Sequence, residues 1–257
     1  MLPLLFPETP FETPTYFVLY LLGFLGAIML GTKIAPRYGL PSVRAVDFGL
    51  FTFLFGFGGA RLFHILIEAP AYYWENPLRV FYFWQGGFVL YGGIICSIVG
   101  GFFVVRMFKE PFARWLDVAA ACMFLGIGIG RVGCLAAGCC FGNRTDWLWG
   151  MIFTDPRSGA PLHIALHPTQ ALESVFGFVM CGLFLWVYWH PPKRSGEAMV
   201  MAILSYSVFR FSLEYLRGDL DRGVFLDRAF STSQLIAVVL SIVCLVWLAL
   251  PIRPRAA

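Results

Sequence analysis

The chain has 257 residues, of which 59% are hydrophobic and only 13% charged, and its formal net charge is +4 at pH 7. A soluble protein of this length could not hide so many apolar side chains, because a folded surface needs far more charged residues. The composition excludes a soluble globular domain and predicts a membrane protein in contact with the lipid bilayer. The basic residues lie in short loops and form no basic stripe, which argues against a nucleic-acid partner.

The N-terminal residues MLPLLFPETPFETPTYF contain two glutamates and no Lys or Arg. A cleavable signal peptide has a basic start and a small-residue cleavage site, so we expect the first apolar segment to remain in the membrane. A membrane-crossing helix needs roughly 20 apolar residues. Seven segments qualify, at about 15–33, 46–67, 86–105, 117–137, 170–189, 197–217 and 234–251. The predicted fold class is all-α, a polytopic membrane protein with seven transmembrane helices in one domain over 1–257.

The loops on the two sides of the predicted helices differ in their content of Lys and Arg. Ten such residues follow spans one, three, five and seven, and six lie on the opposite side, five of them in loops that also contain Asp. Cytoplasmic loops of membrane proteins carry the excess of basic residues. We therefore expect the N-terminus outside and the C-terminus inside the cytoplasm.

Three arginines, Arg61, Arg131 and Arg210, lie within predicted spans. An arginine at the centre of a membrane helix costs about 2.5–3.5 kcal/mol on insertion scales, so each needs a physical reason. The predicted orientation places all three in the outer half of their spans. The same depth is predicted for the other unusual polar residues, which are Tyr16, Tyr20, Tyr91, Glu173 and Glu214.

Two interpretations account for these charges. In the first interpretation the charges are paired and only hold helices together, since Arg210 and Glu214 are four residues apart and can pair on one helix face. However, two carboxylates do not balance three arginines with Arg217 nearby. A surplus of guanidinium groups favours an anion, and phosphate suits their planar array of donors. The residues therefore predict a phospholipid-headgroup site open to the outer leaflet.

Five stretches carry a recognisable order and spacing: GGARLFH (58–64), WQGGFVLYGG (84–93), GIGRVGCLAAGCCFG (128–142), HPTQALE (167–173) and YSVFRFSLEYLR (206–217). With YFVLYLLGF near the start, they resemble the prolipoprotein diacylglyceryl transferase family over roughly residues 15–250. The resemblance implies a seven-helix enzyme of the bacterial inner (cytoplasmic) membrane whose active site faces the periplasm. It implies that the diacylglyceryl group of phosphatidylglycerol moves to the lipobox cysteine thiol in the signal peptide of a secreted prolipoprotein. A thioether forms and glycerol phosphate leaves.

The site residues implied by the resemblance are those that match the family's pattern. They are Tyr16, Arg131, Glu173, Tyr206, Arg210, Glu214, His167, Pro168 and Gln170. Arg131 and Arg210 are implied to hold the phosphate and to offset the charge that develops on the leaving group, as rigid donors do. We also predict that Arg61 binds substrate, because its predicted depth in the membrane is the same as that of Arg131 and Arg210. No nucleotide loop, haem motif or convincing metal set is visible, so we expect no cofactor and no metal.

The chain departs from the family at the residues expected to organise proton transfer. Tyr91 stands where members usually have a histidine, and Cys134, Ala137 and Cys139 stand where they usually have Asn, Asn and Glu. The resemblance assigns the proton acceptor to one of the missing residues. Transfer to a thiol still requires a thiolate, since the neutral thiol is a poor nucleophile.

Three other residues are candidates for the missing base. His64 lies one turn beyond Arg61 on the same predicted helix face, and His167 lies at the entrance of the fifth span. Tyr91 could act if nearby arginines made its hydroxyl more acidic. For His64, a hydrogen bond that packs two helices together is an equally good interpretation. The sequence favours none of the three.

Three cysteines, Cys134, Cys139 and Cys140, cluster at the end of the fourth predicted span, and three interpretations stay open. They can form part of a metal site, although zinc usually has four ligands and paired C-x2-C spacing. Cys134 can form a disulfide with Cys139 or Cys140 in an oxidising periplasm. A thiol such as Cys139 can instead take part in transfer as a transient acceptor of the lipid group.

Residues 138–168 form the longest predicted non-helical stretch, and long loops often carry function. They either roof the cavity and contact the protein substrate or form an ordinary cap. The altered motif residues also leave two rival functions open. One is a diverged paralogue that transfers a lipid moiety to another acceptor, and the other is a non-catalytic phospholipid-binding or transport protein.

Overall fold

A computed structural model of the chain describes residues 2–7, 13–83, 86–190, 194–218, 224–225 and 230–251. In chain order its α-helices are α1 (Thr15–Ile34), α2 (Ser42–Phe63), α3 (Pro70–Glu75), α4 (Leu90–Met107), α5 (Phe112–Ala137), α6 (Thr169–Trp189), α7 (Glu197–Leu213) and α8 (Thr232–Ala249). A π-helical turn, His64–Glu68, prolongs α2, and a 3-10 turn, Glu214–Leu216, prolongs α7. Three antiparallel pairs of two-residue strands are β1 (Leu4–Leu5) with β2 (Thr13–Pro14), β3 (Met151–Ile152) with β4 (Ala165–Leu166), and β5 (Val224–Phe225) with β6 (Phe230–Ser231).

Seven helices in the described part of the chain are long and apolar enough to cross a membrane, which confirms the seven predicted spans and the all-α fold class. The third span begins at Leu90 and not near residue 86. Gly86 and Gly87 have φ angles of 80° and 79°, which a right-handed helix does not accommodate. The orientation of the termini stays a prediction.

The chain folds into two compact units. The smaller unit is Gly31–Trp115 and contains α2, α3 and α4. The larger unit combines Met1–Leu30 with Leu116–Ala257 and contains α6, α7 and α8 together with most of α1 and α5. The single domain expected from the sequence stays a prediction.

Glycines bring α2 and α4 together in the smaller unit. A Cβ atom on Gly59 would overlap the Cys96 side chain, and one on Gly92 would overlap the Phe63 ring. Membrane helices associate through such small residues, because lipid supplies no hydrophobic force between them and close packing must hold them. This contact fixes the ends of α2 and α4 that carry three of the predicted site residues.

A buried carboxylate joins the start of α5 to the start of α7 in the larger unit. Asp117 is 2% exposed and accepts hydrogen bonds from the backbone N–H groups of Gly196 at 2.8 Å and Ala198 at 3.0 Å. The first N–H groups of a helix have no partner inside it, and the helix dipole makes that end electropositive. The Asp117 carboxylate accepts hydrogen bonds from these N–H groups and places a negative charge at the electropositive end of α7. No sequence pattern singled it out, because Asp117 and Gly196 are 79 residues apart.

We expect Asp117→Ala to lower the midpoint of thermal unfolding in detergent. The substitution leaves two backbone donors without their acceptor, and each such group costs about 1–3 kcal/mol when buried. Asp117→Asn keeps one oxygen acceptor and should have a smaller effect. Asp47→Ala is the control, because its ion pair with Arg44 is half exposed and such pairs contribute about 0–1 kcal/mol. An unchanged midpoint for Asp117→Ala would contradict the capping role.

Two glycines set the separation of α5 and α6. A Cβ atom on Gly177 would lie 2.7 Å from the backbone nitrogen of Gly128 and 2.9 Å from its Cα atom. The Ser174 hydroxyl also donates to the Gly128 carbonyl at 2.7 Å. The helices therefore touch through their backbones, about one turn from Arg131 on α5 and Glu173 on α6.

Gly177→Ala should push α5 and α6 apart, because the backbone of Gly128 cannot yield as a flexible side chain can. Overpacking of this kind costs about 1–3 kcal/mol of stability, and misplacement of catalytic groups by about 1 Å can cost on the order of 10²-fold in rate. We expect both losses, measured by thermal unfolding and a transferase assay. Gly182→Ala on the same helix is the control, since its Cβ would meet open space. Equal behaviour of the two variants would contradict the prediction.

Candidate active site

A buried carboxylate joins three helices of the larger unit. Glu173 on α6 is 2% exposed, and its Oε1 atom lies 2.9 Å from Nη2 of Arg131 on α5. The Tyr206 hydroxyl on α7 donates to the same oxygen at 2.7 Å. Hydrogen bonds to ionised partners in a poorly hydrated interior are strong and hold the groups rigidly. The pairing also explains how two charges are tolerated within membrane-spanning helices.

A second ion pair lies at the end of α7. Arg210 Nη2 is 2.8 Å from Glu214 Oε2, and both side chains are largely buried. The pair that the four-residue spacing allowed is therefore present. The other terminal nitrogen, Arg210 Nη1, is buried and donates to no acceptor among the described residues. A buried donor without an acceptor costs about 1–3 kcal/mol, so this nitrogen is available to an anion.

Tyr206 connects the two ion pairs. Its hydroxyl interacts electrostatically with Glu173, Arg131 and Arg210, and Arg210 follows it by four residues on α7. The structure therefore brings together Arg131, Glu173, Tyr206, Arg210 and Glu214, as the sequence predicted. Each of the two arginines has a carboxylate partner, so the surplus of positive charge expected from the sequence is not found within these pairs.

The segment that follows α5 is held between the start of α6 and the end of α7. The Gly142 N–H donates to the His167 carbonyl at 3.2 Å, and the Asn143 N–H donates to the Leu216 carbonyl at 2.7 Å. A Cβ atom on Gly142 would collide with both of these carbonyl groups, so only glycine fits. The predicted site residues of α5, α6 and α7 thus lie at one end of the larger unit.

Two buried side chains from the HPTQ motif (residues 167–170) bind the backbone of Cys139 and Cys140. Gln170 Nε2 donates to the Cys139 carbonyl at 2.8 Å, and the Thr169 hydroxyl donates to the Cys140 carbonyl at 2.9 Å. Both side chains are 1% exposed. The Gln170 amide, which the resemblance implied to be a site residue, therefore binds the backbone of Cys139. Sequence analysis missed Thr169, although its place beside Gln170 in the motif was a usable signal.

The three neighbouring cysteines form a cluster in which all Sγ atoms lie within 4.8 Å of one another. All seven cysteines are free thiols in the structure, so the disulfide interpretation is not realised in it. Hydrogen bonds with Cys134 and then with Cys140 raise the pKa of the Cys139 thiol. Hydrogen bonds from Cys134 and Cys139 lower the pKa of Cys140 well below its ordinary value, and the positive charges of Arg217 and Arg131 lower it further.

Tyr16 lies at the start of α1, beside the end of α5. A Cβ atom on Gly133 would lie 3.2 Å from the Tyr16 Cα atom, so the two backbones are in close contact. The Tyr16 side chain is 40% exposed, and its hydroxyl interacts electrostatically with Cys139. The structure therefore places this predicted residue next to the cysteine cluster.

Arg61 belongs to the smaller unit, where backbone carbonyl groups surround its guanidinium group. It is 4% exposed and donates to the carbonyl groups of Arg79, Val80, Tyr82, Gly86 and Gly87. These five acceptors lie in the segment between α3 and α4. Arg61 thus fixes the shape of that segment, a role that sequence analysis missed. Its predicted contact with substrate stays a prediction.

His64 and Tyr91 also belong to the smaller unit. His64 Nδ1 lies 2.9 Å from the Tyr73 hydroxyl on α3, which matches the interpretation of a hydrogen-bonded packing histidine. A Cβ atom on Gly87 would lie 2.8 Å from both the His64 ring and Arg61 Nη1, so these two side chains do share one neighbourhood. Tyr91 is the second residue of α4 and is 44% exposed.

A sequence model described as prolipoprotein diacylglyceryl transferase matches residues 3–250 of the chain. The chain belongs to this family. It is 30% identical to the phosphatidylglycerol--prolipoprotein diacylglyceryl transferase of Clostridium tetani over 238 residues, which cover 93% of both chains.

Two further relatives carry the same description. The chain is 32% identical over 239 residues to the transferase of Geobacter sulfurreducens, with 91% of this chain and 89% of the relative covered. It is 34% identical over 221 residues to transferase 2 of Clostridium perfringens, with 86% and 84% covered. The resemblance predicted from the motifs is confirmed. Family membership and the seven apolar helices make the chain a transferase and a multi-pass protein of the bacterial inner membrane.

Within this transferase family member, the long loop after α5 has a small core of its own. Phe153, Ala160 and Leu166 are buried together, and β3 pairs with β4. The Gly159 N–H donates to the Ala137 carbonyl at 3.2 Å, which ties the loop to the end of α5. Whether the loop contacts a protein substrate or only caps the helices stays open.

Proposed function

We propose that the chain transfers the diacylglyceryl group of phosphatidylglycerol to the lipobox cysteine thiol of a prolipoprotein. In this proposal Arg131 and Arg210 bind the phosphate of the lipid headgroup. The observation that carries the proposal is the buried Arg210 Nη1 atom, which has no acceptor among the described residues. A phosphate oxygen is the acceptor that this nitrogen lacks, and the membrane supplies phosphate at that depth.

The two ion pairs support the proposal because they make the arginines rigid. Glu173 and Tyr206 orient Arg131, and Glu214 orients Arg210. Donors that are already in place stabilise developing charge without reorganising during the reaction. As the bond between the glyceryl carbon and the phosphate oxygen breaks, negative charge grows on the phosphate beside these donors. We assign Glu173, Tyr206 and Glu214 as positioning residues in this reaction.

The remaining predicted residues have roles around this centre. We propose that Tyr16 contacts the substrates from α1, because it is exposed and lies beside Cys139. Gln170 shapes the site through the Cys139 backbone. His64, His167 and Tyr91 stay candidates for the base. The His167 ring packs edge-on against Trp147 at 5.7 Å between centroids.

We also propose that the site faces the periplasm. In the larger unit Glu173 lies near the start of α6 and Arg210 near the end of α7, whereas Arg194 lies in the loop between the opposite ends of these two helices, and the positive-inside rule assigns such basic loops to the cytoplasm. Prolipoproteins reach that outer side as they are secreted. Cysteine accessibility labelling of intact cells tests this part, because Leu148 in the loop after α5 is 99% exposed and a Leu148→Cys variant should react with a membrane-impermeant maleimide if that loop is periplasmic.

The proposed activity is tested with purified protein in phosphatidylglycerol liposomes and a synthetic lipobox peptide. We expect the peptide mass to increase by one diacylglyceryl group, with release of an equal amount of glycerol phosphate. A peptide whose cysteine is replaced by serine is the control. Lipid consumption with an unmodified peptide would favour transfer to another acceptor. Saturable lipid binding with no turnover would favour the non-catalytic function, and either result would overturn the proposal.

A further inference from the structure

The three-cysteine cluster has the dimensions of a metal site. The Sγ atoms of Cys134, Cys139 and Cys140 lie within 4.8 Å of one another. Three thiolates bound to one zinc ion at about 2.3 Å stand about 3.8 Å apart in tetrahedral geometry. Side-chain rotations that move each sulfur by less than about 1 Å would therefore complete such a site.

The backbone that carries the sulfur atoms is fixed before any metal binds. The Cys139 N–H donates to the Cys134 carbonyl at 3.2 Å, which folds the chain back over the end of α5. The buried side chains of Thr169 and Gln170 hold the carbonyl groups of Cys140 and Cys139. Because this backbone is already ordered, the chain loses little conformational entropy when a metal binds.

The surrounding charge suits a thiolate cluster with a divalent ion. Three thiolates and one Zn²⁺ carry a net charge of −1. Arg131 Nη1 lies 3.8 Å from Cys134 Sγ, and Arg217 acts electrostatically on Cys140. Soft sulfur ligands select zinc among the common divalent ions, and three protein ligands leave the fourth tetrahedral position open, as in catalytic zinc sites.

We propose that Cys134, Cys139 and Cys140 bind one zinc ion whose fourth position takes the thiol of the acceptor cysteine. The second half of this proposal rests on the proposed function. Cys139 is exposed, so an incoming thiol can reach the ion. A thiol that coordinates a metal loses its proton, and the site therefore needs no basic side chain to form the nucleophile.

The reaction balances with these groups. The acceptor thiol would displace a water molecule from zinc and release its proton to solvent as the sulfur binds the ion. The thiolate then attacks the glyceryl carbon that is esterified to phosphate. A carbon–sulfur bond forms, the carbon–oxygen bond breaks, and its electron pair leaves with glycerol phosphate. Arg131 and Arg210 bind that departing anion in the proposed mechanism.

The first test measures metal content. The full chain, purified in detergent with reductant, should retain about one zinc ion, and Co²⁺ exchanged into the site should show sulfur-to-cobalt charge-transfer absorption. Serine substitution of any of the three cysteines should weaken zinc binding by more than the roughly 10–100-fold that follows loss of a group that only orients a ligand. Cys122→Ser, on the same helix but outside the cluster, is the matched control and should bind zinc as wild type does.

The second test separates this inference from the proposed function. Adding lipobox peptide should shift the cobalt absorption, whereas the peptide with serine in place of cysteine should not. Failure to bind zinc with all thiols reduced, or zinc binding that survives the serine substitutions, overturns the metal site. Transfer at the wild-type rate by the zinc-free protein overturns the catalytic half while the proposed function stands. Zinc binding with a cobalt shift but no lipid transfer overturns the proposed function and leaves the metal site in place.

Discussion

Arg210→Ala is expected to lower kcat/KM for phosphatidylglycerol by about 10²–10³-fold, the usual effect of removing one preorganised donor from a developing anion. The guanidinium group is nearly buried, it is paired with Glu214 on one nitrogen, and its other terminal nitrogen has no acceptor among the described residues. A liposome assay with a lipobox peptide measures the effect. Arg210→Lys keeps the charge and loses the planar set of donors, so its loss should be intermediate.

Stability must be separated from activity in this experiment. Arg210→Ala removes the ion pair between Arg210 and the buried Glu214 carboxylate, and removal of one partner from a buried pair costs about 3–5 kcal/mol. The double variant Arg210→Ala/Glu214→Gln also neutralises the side chain at 214. It should recover most of the thermal stability and none of the activity. Arg106→Ala, an exposed arginine at the end of α4, should match wild type in both measurements. Wild-type transfer by Arg210→Ala would refute the assigned role of this residue.

Substitution of Glu173 should have the second large effect, because this carboxylate orients groups on two other helices. Glu173→Leu leaves the Arg131 guanidinium, whose side chain is 21% exposed, without its carboxylate partner, and a cost of up to about 3–5 kcal/mol is expected. Glu173→Gln keeps an oxygen that accepts from Tyr206 but loses the charge that holds Arg131. We expect thermal stability and transfer rate to decline in the order wild type, Gln, Leu.

The partner residue gives a sharper test of the same network. Tyr206→Phe removes the hydroxyl that donates to Glu173 at 2.7 Å, at a cost of about 1.5–3 kcal/mol for a hydrogen bond to a charged group. Neighbouring residues in one network couple by about 0.5–3 kcal/mol. The double variant Glu173→Gln/Tyr206→Phe should therefore lose less stability than the two single losses added together. Additive losses would show that the two side chains act independently.

The predicted spans were recovered closely because their signal is local. Membrane insertion depends on the transfer of about 20 successive residues from water to hydrocarbon, and a window of that length contains all the required information. The starts of three helices differ from the prediction: α2 begins at Ser42 and α5 at Phe112, both earlier than predicted, and α4 begins later, at Leu90. The later start of α4 follows two adjacent glycines with positive φ. The four-residue spacing of Arg210 and Glu214 also allowed their ion pair to be predicted, since residues four apart share a helix face.

The motifs predicted which residues belong near the site, and the structure revised what several of them touch. In the structure Gln170 donates to the Cys139 carbonyl and Arg61 donates to five backbone carbonyl groups, and contact of either side chain with substrate stays a prediction. The same side-chain types serve either purpose. Only the position of the backbone acceptors distinguishes them, and no pattern of residue types encodes that position.

Hydropathy and the motifs were enough to predict a seven-helix membrane transferase, because each apolar segment and each motif is formed by residues close together in the chain. The pairing of Arg131 with Glu173, the link through Tyr206 and the meeting of three thiols at the end of α5 depended on long-range packing. Glu173 and Tyr206 are 33 residues apart. Arg131 on α5 meets Glu173 on α6 because the backbone contact of Gly128 with Gly177 sets how these two helices cross and rotate. Those rotations decide which polar side chains face one another, and residues scattered along the chain determine them jointly.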